Sequence, residues 1–479
     1  MTRRAQEDEK TEETMAKDLH SFVKQIAAEH PGDFRRITRE VDPAAYDVTA
    51  VMEHLNRRGE RPAVLFEHPK NLKGEPSDIP VLINVFAERA RCATALDFPR
   101  DQSNLPLSLE FSRLSGQGIA PVVVDPADAP VKEIVLSREQ VDIRDLPVVI
   151  HSEGDYGPCL TMTLLVKDPE SGAYNAAFIK AFYDFEDQRR LRITIHSPDS
   201  ERALAWYEAR NLPMPIVAVL GHHPAFYLGT MGLTPYESDD FTTIGGFLGE
   251  PLRLVPSETW GDDFMVPADA EILIEGEVPP GERMIADPFG DITRQYQAQT
   301  LRPVMNVTAI TRRRDAILQD VFAGHHDHFT VGQIPKEGTL YNTLRRKFGD
   351  IVTAVHLPYS GCGRLACYVS IAKTREGQGK AVALAAIQES WTFQVVVVVD
   401  DVIDVFDEQD VVWATLVNVD PSRDVDMIHN IPTVFTTSMG YRKVLIDATR
   451  PLDKAIPEMN RVPQEALDRI DLDEYLEAR

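Results

Sequence analysis

The chain has 479 residues, 43% of them apolar and 26% charged; this is the balance of a soluble globular protein and more chain than one hydrophobic core organises, so roughly two to four domains are expected. The formal net charge is −25, which argues against a nucleic-acid partner, because that affinity comes from Lys and Arg meeting phosphates. An anionic ligand must therefore be met by local positive charge, or by a metal, set against the general field.

The N-terminus, MTRRAQEDEKTEE, is charged and lacks the apolar stretch of a signal peptide. A helix is expected from Glu13 to His30, because Met15, Leu19, Phe22, Val23 and Ile26 share one face and Pro31-Gly32 ends it. Short apolar runs at Ala63–Phe66 and Val81–Phe86, with helical patterns around them, predict a small α/β domain over residues 1–117. From 118 to 335 candidate strands arrive at short intervals, among them Leu160–Val166, Tyr174–Tyr183, Arg192–His196, Ile216–Leu220, Glu271–Ile274 and Val304–Ile310, with a helix at Ser200–Arg210. Such spacing predicts an antiparallel barrel or sandwich. From 336 to 479 the alternation of helix and strand returns: a helix at Leu340–Phe348, strands at Ile351–His356 and Leu365–Lys373, a helix from about Lys380 to Ser390, the buried strand Val395–Val399 and a helix near Gln409–Leu416. This predicts a second α/β domain, with Trp391 and Trp413 in the core. The longest wholly apolar runs, such as Val395–Val399, are too short to span a bilayer. Cys92, Cys159, Cys362 and Cys367 form no C-x-x-C pair, which points to buried thiols in a reducing compartment. A cytoplasmic protein with no membrane partner is expected.

Phosphate-loop, nucleophile-elbow and zinc-protease motifs are absent. Four local patterns stand out: Tyr174-Asn-Ala-Ala-Phe-Ile-Lys180 on a strand, with Ile195-His196 on the next; Leu233-Thr-Pro-Tyr-Glu237 in a loop; Ala286-Asp-Pro-Phe-Gly-Asp291; and Val395–Val399 running into Asp400-Asp401-Val-Ile-Asp404. Asn, His and Glu together make a mixed oxygen and nitrogen set suited to Mn²⁺ or Mg²⁺ bridging a phosphate. Taken singly, His196 reads as a structural histidine and the aspartates after Val399 as turn residues.

In this order the four patterns resemble the UbiD family of decarboxylases, which use prenylated FMN. The resemblance covers roughly residues 15–450. It rests on the Asn175…His196…Glu237 trio, the Pro288-Phe289-Gly290-acid turn and VVVVVDDVIDVFDEQDVVWA at 395–414. It implies a multidomain α/β fold, with an N-terminal α/β domain, a central split β-barrel that binds the flavin and a C-terminal α/β domain that serves oligomerisation. It also implies that Asn175, His196 and Glu237 hold a divalent metal, Mn²⁺ or Mg²⁺, often beside K⁺, and through it the cofactor phosphate.

The family's catalytic network is an Arg and two Glu residues. Their positions here hold Lys180, Ala286 and Asp291, and a basic residue expected before the Val395 strand is Gln394. Lys180 is thereby left for another carboxylate, with Asp291, Asp287 or the substrate as candidates. Asn175 and Lys180 are an odd number apart, so a regular strand points them to opposite faces; a bulge must lie between them, or the flavin must reach around the strand. Ala323-Gly-His-His-Asp-His328 falls where the family approaches its substrate. Its histidines suggest a polar acid, either a phenol or one with a second carboxylate; the alternative is a surface cluster. The expected activity is non-oxidative, reversible decarboxylation of a hydroxylated aromatic or heteroaromatic acid, with Asp291 as proton donor, Lys180 assisting and His326 contacting the substrate. The alternatives are a furan, pyrrole or other unsaturated acid, an FMN oxidoreductase, or a non-catalytic family member. A flavin prenyltransferase is the expected cofactor supplier, and a homodimer or homohexamer the expected assembly.

Overall fold

The first helix begins at Leu19 rather than at Glu13, because Asp18 takes the N-cap and accepts the Ser21 N–H; Leu19, Phe22, Val23 and Ile26 are buried. The computed structural model describes residues 16–235, 238–432, 442–454 and 459–475, so Met15 lies outside the described residues. Leu19, Phe22, Val23 and Ile26 share a core with Phe34, Ala63, Leu65 and Leu82, on one face of a sheet ordered Phe34–Ile37, Ala63–Phe66, Val81–Ile83 and Leu318–Asp320. The third strand stops at Ile83 because Asn84 turns to a left-handed φ of 68°. Leu318–Asp320 pairs in parallel with Val81–Ile83, so a strand remote in sequence ties the first sheet to the central one.

In the central sheet the pairings form a cycle. Ile272–Val278 pairs with Met214–Leu220, which pairs with Cys159–Lys167, then Tyr174–Tyr183, Arg190–Ile193 and Thr300–Arg312, which returns to Ile272–Val278. Alternate residues of these strands, such as Leu160, Met162, Leu164, Ile179, Ala181, Ile216, Ile274 and Met305, build one apolar core. Tyr174 and Ala176, on the opposite face, join the core shared with the N-terminal helix. The third sheet is ordered Val352–His356, Ala366–Ile371, Val395–Asp400, Arg442–Asp447, Val425–His429.

Three expectations are corrected. The strand before His196 ends at Ile193, so His196 lies in the connection to the helix Pro198–Ala209, where Ser197 is the N-cap. The helix expected at Leu340 begins at His326 and runs to Phe348 through Pro335; the histidine segment therefore opens a helix, a start that Pro335 hides from periodicity. Trp391 is 60% exposed, being in the turn before the Val395 strand. The four cysteines are free and buried. Among the described residues no helix is long and apolar enough to cross a membrane.

Candidate active site

The strand Tyr174–Tyr183 pairs with Cys159–Lys167 from Tyr174 to Phe182 without a register shift. No bulge intervenes, so Asn175 and Lys180 face opposite sides. The other edge meets Arg190–Ile193 only over residues 181–183. Towards Asn175 no further strand pairs with that edge among the described residues; the Lys180 N–H donates to Thr194 Oγ1 at 3.0 Å and its carbonyl accepts the Thr194 N–H at 2.9 Å.

At one end of the strand, Asn175 Oδ1 accepts the hydroxyls of Ser197 at 3.1 Å and Ser200 at 2.8 Å, and Nδ2 donates to Asp240 Oδ2 at 3.2 Å. The Ala176 N–H donates to the same carboxylate at 2.8 Å, and the Tyr174 N–H to Asp239 Oδ2 at 3.3 Å. Burial pushes the Asp240 carboxyl up to about 7; the Ala176 N–H opposes this, and the charges of Asp239 and Asp199 add to it. His196 is open to solvent at its rim, yet the packed protein around it and the charge of Lys180 hold its imidazole below its ordinary value. It is therefore neutral at neutral pH, the form that ligates metals. Glu237 lies outside the described residues. Among those described, no cluster of three His, Cys, Asp or Glu side chains is set to hold a metal. The donors present are an amide oxygen, a neutral imidazole and a carboxylate crowded by two others, and this hard oxygen and nitrogen chemistry fits Mn²⁺ or Mg²⁺.

At the other end, Lys180 Nζ lies 3.1 Å from Asp291 Oδ1 and 4.3 Å from the centre of the Phe289 ring. Asp291 Oδ1 also accepts the Ile292 N–H at 2.8 Å, and Oδ2 accepts the Gln297 amide. Burial alone would raise this carboxyl; the charge of Lys180, the Ile292 N–H, His328 and Gln297 outweigh it and hold Asp291 well below the usual carboxylate range. Gln297 connects to a second pair. Arg302 donates through Nη2 to Gln297 Oε1 at 3.2 Å and through Nε to Asp287 Oδ2 at 3.0 Å, which also accepts the Thr300 hydroxyl at 2.9 Å. Of the carboxylates open to Lys180 in the sequence, Asp291 is the one it pairs with, and Asp287 belongs to Arg302. Ala286 is fully buried against Cys159, Phe182, Phe289 and Ala323, so apolar side chains fill the space around that position.

The histidines separate. Asp327 is buried and accepts the N–H groups of Asn84 at 3.0 Å, Phe86 at 2.6 Å and Phe322 at 3.3 Å, fixing the helix start. His325 stacks on Phe322 at 4.6 Å. His326 meets Tyr359 edge-on at 4.6 Å, and burial together with the charges of Arg61, His325 and Arg294 pushes it down to about 3. His328 accepts the Gly324 N–H at Nδ1, 3.3 Å away. Burial, then Arg364 and Lys180, push it down to about 3, against the charge of Asp291. The structure thus brings His328, two residues beyond His326, to the Lys180–Asp291 pair. Asp240, Gln297, Arg302 and Arg364 were not legible as site residues. Only Asp240 carried a signal, as the second of two acids opening an apolar helix.

Profiles of the 3-octaprenyl-4-hydroxybenzoate carboxy-lyase family match in chain order: the N-terminal domain over residues 27–105, the Rift-related domain over 122–326 and the C-terminal domain over 329–448. Among solved structures, the UbiD-class enzyme HmfF from Pelotomaculum thermopropionicum in complex with FMN is 30% identical, covering 96% of this chain and 100% of that chain with a TM-score of 0.86. An evolved dimeric form of HmfF in complex with prFMN gives 0.84 at 30% identity and the same coverage. Vanillic acid decarboxylase of Sedimentibacter hydroxybenzoicus, in open form, is 25% identical over 96% of this chain and 98% of that chain, with a TM-score of 0.82. The chain belongs to the UbiD family of carboxy-lyases.

Proposed function

We propose that this protein is a non-oxidative, reversible decarboxylase working with prenylated FMN on an aromatic or heteroaromatic carboxylic acid that carries a hydroxyl or a second acid group. The observation that carries this reading is the Lys180–Asp291 pair, 3.1 Å apart, at two of the positions where the family resemblance puts its catalytic network, on the same strand as Asn175. In this reading the cycle of strands is the flavin-binding split barrel, and Asn175, His196 and Glu237 would hold a divalent metal for the flavin phosphate, with Asp240 beside Asn175. When bound, the modified flavin supplies an electron sink for the ring carbon that loses CO₂.

The chain's own residues do the rest. Lys180 offers its ammonium to the carboxylate that is to leave, a point charge rather than the fork of an arginine. The Ile292 N–H and Gln297 fix the Asp291 carboxylate. Being ionised at rest, Asp291 takes up a proton and returns it to the ring carbon after CO₂ has gone. Phe182, Phe289 and Ala323 keep water from that side. His328, a neutral acceptor, faces the ring substituent, and His326 lines the same helix start. Exposed Val412, Leu416 and Val417 on the helix Glu408–Asn418 support assembly as a homodimer or homohexamer.

The test is co-expression with a flavin prenyltransferase, mass spectrometry of the bound cofactor, and a screen of ring acids for CO₂ release and for deuterium uptake from D₂O. Ordinary FMN with NADH turnover and no CO₂ release would overturn the reading in favour of an oxidoreductase.

A further inference from the structure

The segment from Phe289 to Gln297 folds back on itself. Gly290 bridges Tyr296 in the antiparallel sense; the Asp291 N–H donates to the Gln295 carbonyl at 2.9 Å, and the Gln297 N–H to the Phe289 carbonyl at 3.0 Å. In such a ladder Phe289 stands opposite Gln297, and Asp291, two residues further on, shares their face. That face meets Lys180: its Nζ is 4.3 Å from the centre of the Phe289 ring and 3.1 Å from Asp291 Oδ1. On the same face the Gln297 amide donates to Asp291 Oδ2.

A glutamine amide presents its oxygen or its nitrogen according to its neighbours. Here Arg302 decides, because its Nη2 donates to Gln297 Oε1 at 3.2 Å and leaves Nε2 for Asp291. Arg302 is held in turn. Thr300 and Arg302, two residues apart on the strand Thr300–Arg312, point to one side, and both donate to Asp287 Oδ2, at 2.9 and 3.0 Å. Asp287 is buried, so this partner is costly to lose. Donor meets acceptor at every link from Asp287 through Arg302 and Gln297 to Asp291.

With alanine at 286, Asp291 is the carboxylate that Lys180 pairs with, and its two oxygens divide the work. We propose that Gln297 is a positioning residue, locked by Arg302 and Asp287, that keeps Oδ2 of Asp291 an acceptor and so places the transferred proton on Oδ1, beside Lys180. This rests on the decarboxylase reading and deepens it. A proton on Oδ2 would lie against the Gln297 N–H, donor against donor. On Oδ1 it takes the direction that Lys180 vacates when the ammonium turns to the substrate. The proton comes from solvent. After CO₂ departs, the Oδ1–H bond breaks, a C–H bond forms with the electron pair that had held CO₂, and Asp291 is left a carboxylate.

Gln297→Glu tests this in the cofactor-loaded enzyme, with hydroxybenzoic, furan and pyrrole carboxylic acids as substrates. The variant keeps the size of the side chain and the acceptor for Arg302, but offers Oδ2 a carboxylate with which to share the proton. Per bound cofactor, kcat is expected to fall by about 10²-fold, the effect of a small misplacement of a reacting group. KM stays as in the parent, because Gln297 acts through Asp291 and not on the substrate. A carboxylate that exchanges an N–H donor for a neighbouring charge takes up a proton more readily, so the acid limb of kcat/KM moves to higher pH. The other charges that reach Asp291, those of Lys180, His328, Arg364 and His196, are the same in both proteins. Arg302→Gln combined with Asp287→Asn removes the lock without leaving a buried carboxylate alone, and asparagine tolerates the left-handed φ of 65° at that position. This pair lowers kcat in the same direction and adds little to Gln297→Glu, since both act through one oxygen. In an Asp291→Asn background, Gln297→Glu leaves the residual rate unchanged. Parent kcat in Gln297→Glu with the acid limb in place makes the glutamine a turn-closing residue and overturns the proposal, as do fully additive losses. A parent that releases no CO₂ from these acids and takes up no deuterium from D₂O removes the decarboxylase reading and the proposal with it.

Discussion

Lys180 and Asp291 meet at 3.1 Å with side chains only 14% and 13% exposed, from a strand and a turn 111 residues apart in sequence. The charge of Lys180 is the main influence holding Asp291 ionised against its burial. Lys180→Met leaves Asp291 without its main counter-charge and is expected to lower kcat/KM by about 10²-fold or more, as for loss of one oriented electrostatic group. Lys180→Arg keeps the charge and recovers part of the rate. Steady-state kinetics normalised to bound cofactor measures both, and equal rates for the methionine variant and the parent would remove Lys180 from the chemistry.

The metal end gives a separate expectation. His196→Ala and Glu237→Ala are expected to lose metal and flavin together while the chain stays folded, because the metal is what would tie the flavin phosphate to the trio. Asp240→Asn, beside Asn175 at 3.2 Å, lowers metal affinity by about 10- to 100-fold, the usual effect of a supporting residue. Metal analysis and flavin absorbance on the same samples read all three. A metal-free variant that retains its full complement of flavin contradicts the assignment.

Most elements were legible because their apolar spacing is set by local burial: Ala63–Phe66 and Tyr174–Tyr183 run as the sequence predicts. Legibility fails where contacts are remote. Leu318–Asp320 is a strand only because Val81–Ile83 pairs with it, and three residues carry no period. Asn175, Lys180 and Asp291 stood out through the family resemblance. Arg302 did not, since its partners Asp287 and Gln297 come together only when Arg283–Ala286 pairs with Thr300–Arg312. Strand parity was legible too: with no register shift, Asn175 and Lys180 face opposite sides.

Ala286 tests whether the missing carboxylate can be put back. Its Cβ sits among Cys159, Phe182, Phe289 and Ala323, so Ala286→Glu buries an acid in an apolar cluster. A loss of about 3 kcal/mol or more is expected, with no gain in CO₂ release per folded molecule. Urea unfolding and kinetics on the same preparation check it. A faster enzyme of unchanged stability would mean that the space is shared with the reaction centre.

His151 gives a pH expectation. It is buried, with Nε2 2.7 Å from Asp320 Oδ2. Burial disfavours its charged form, but the charge and hydrogen bond of Asp320 outweigh this and raise its pKa. A histidine raised on folding contributes stability that is fully present below its unfolded value of about 6.5 and is lost as pH rises through the folded one. The stability difference between parent and His151→Gln is therefore largest at mildly acid pH and shrinks in the alkaline range. Urea titrations across that range measure it; a gap that widens as pH rises reverses the sign and excludes the imidazolium.

The proton that replaces CO₂ is assigned to Asp291. The turn that carries it is held on both sides: its Oδ1 by Lys180 and the Ile292 N–H, its Oδ2 by Gln297. A carboxylate so stabilised is a poor acid in the free enzyme, so it must be protonated within the cycle, when bound substrate displaces part of Lys180's attraction. Asp291→Asn keeps the hydrogen-bonding shape but cannot carry a proton. Metal and flavin are expected to stay bound, while CO₂ release and deuterium uptake into product fall by about 10²- to 10⁴-fold, the usual contribution of a general acid. If Asp291 only closes the turn after Gly290, the variant loses stability yet works at nearly the parent rate per bound cofactor. A rate within about threefold of the parent, below the smallest general-acid effect, would pass the proton role to His328, a further titratable group within reach of the charges of Lys180 and Asp291.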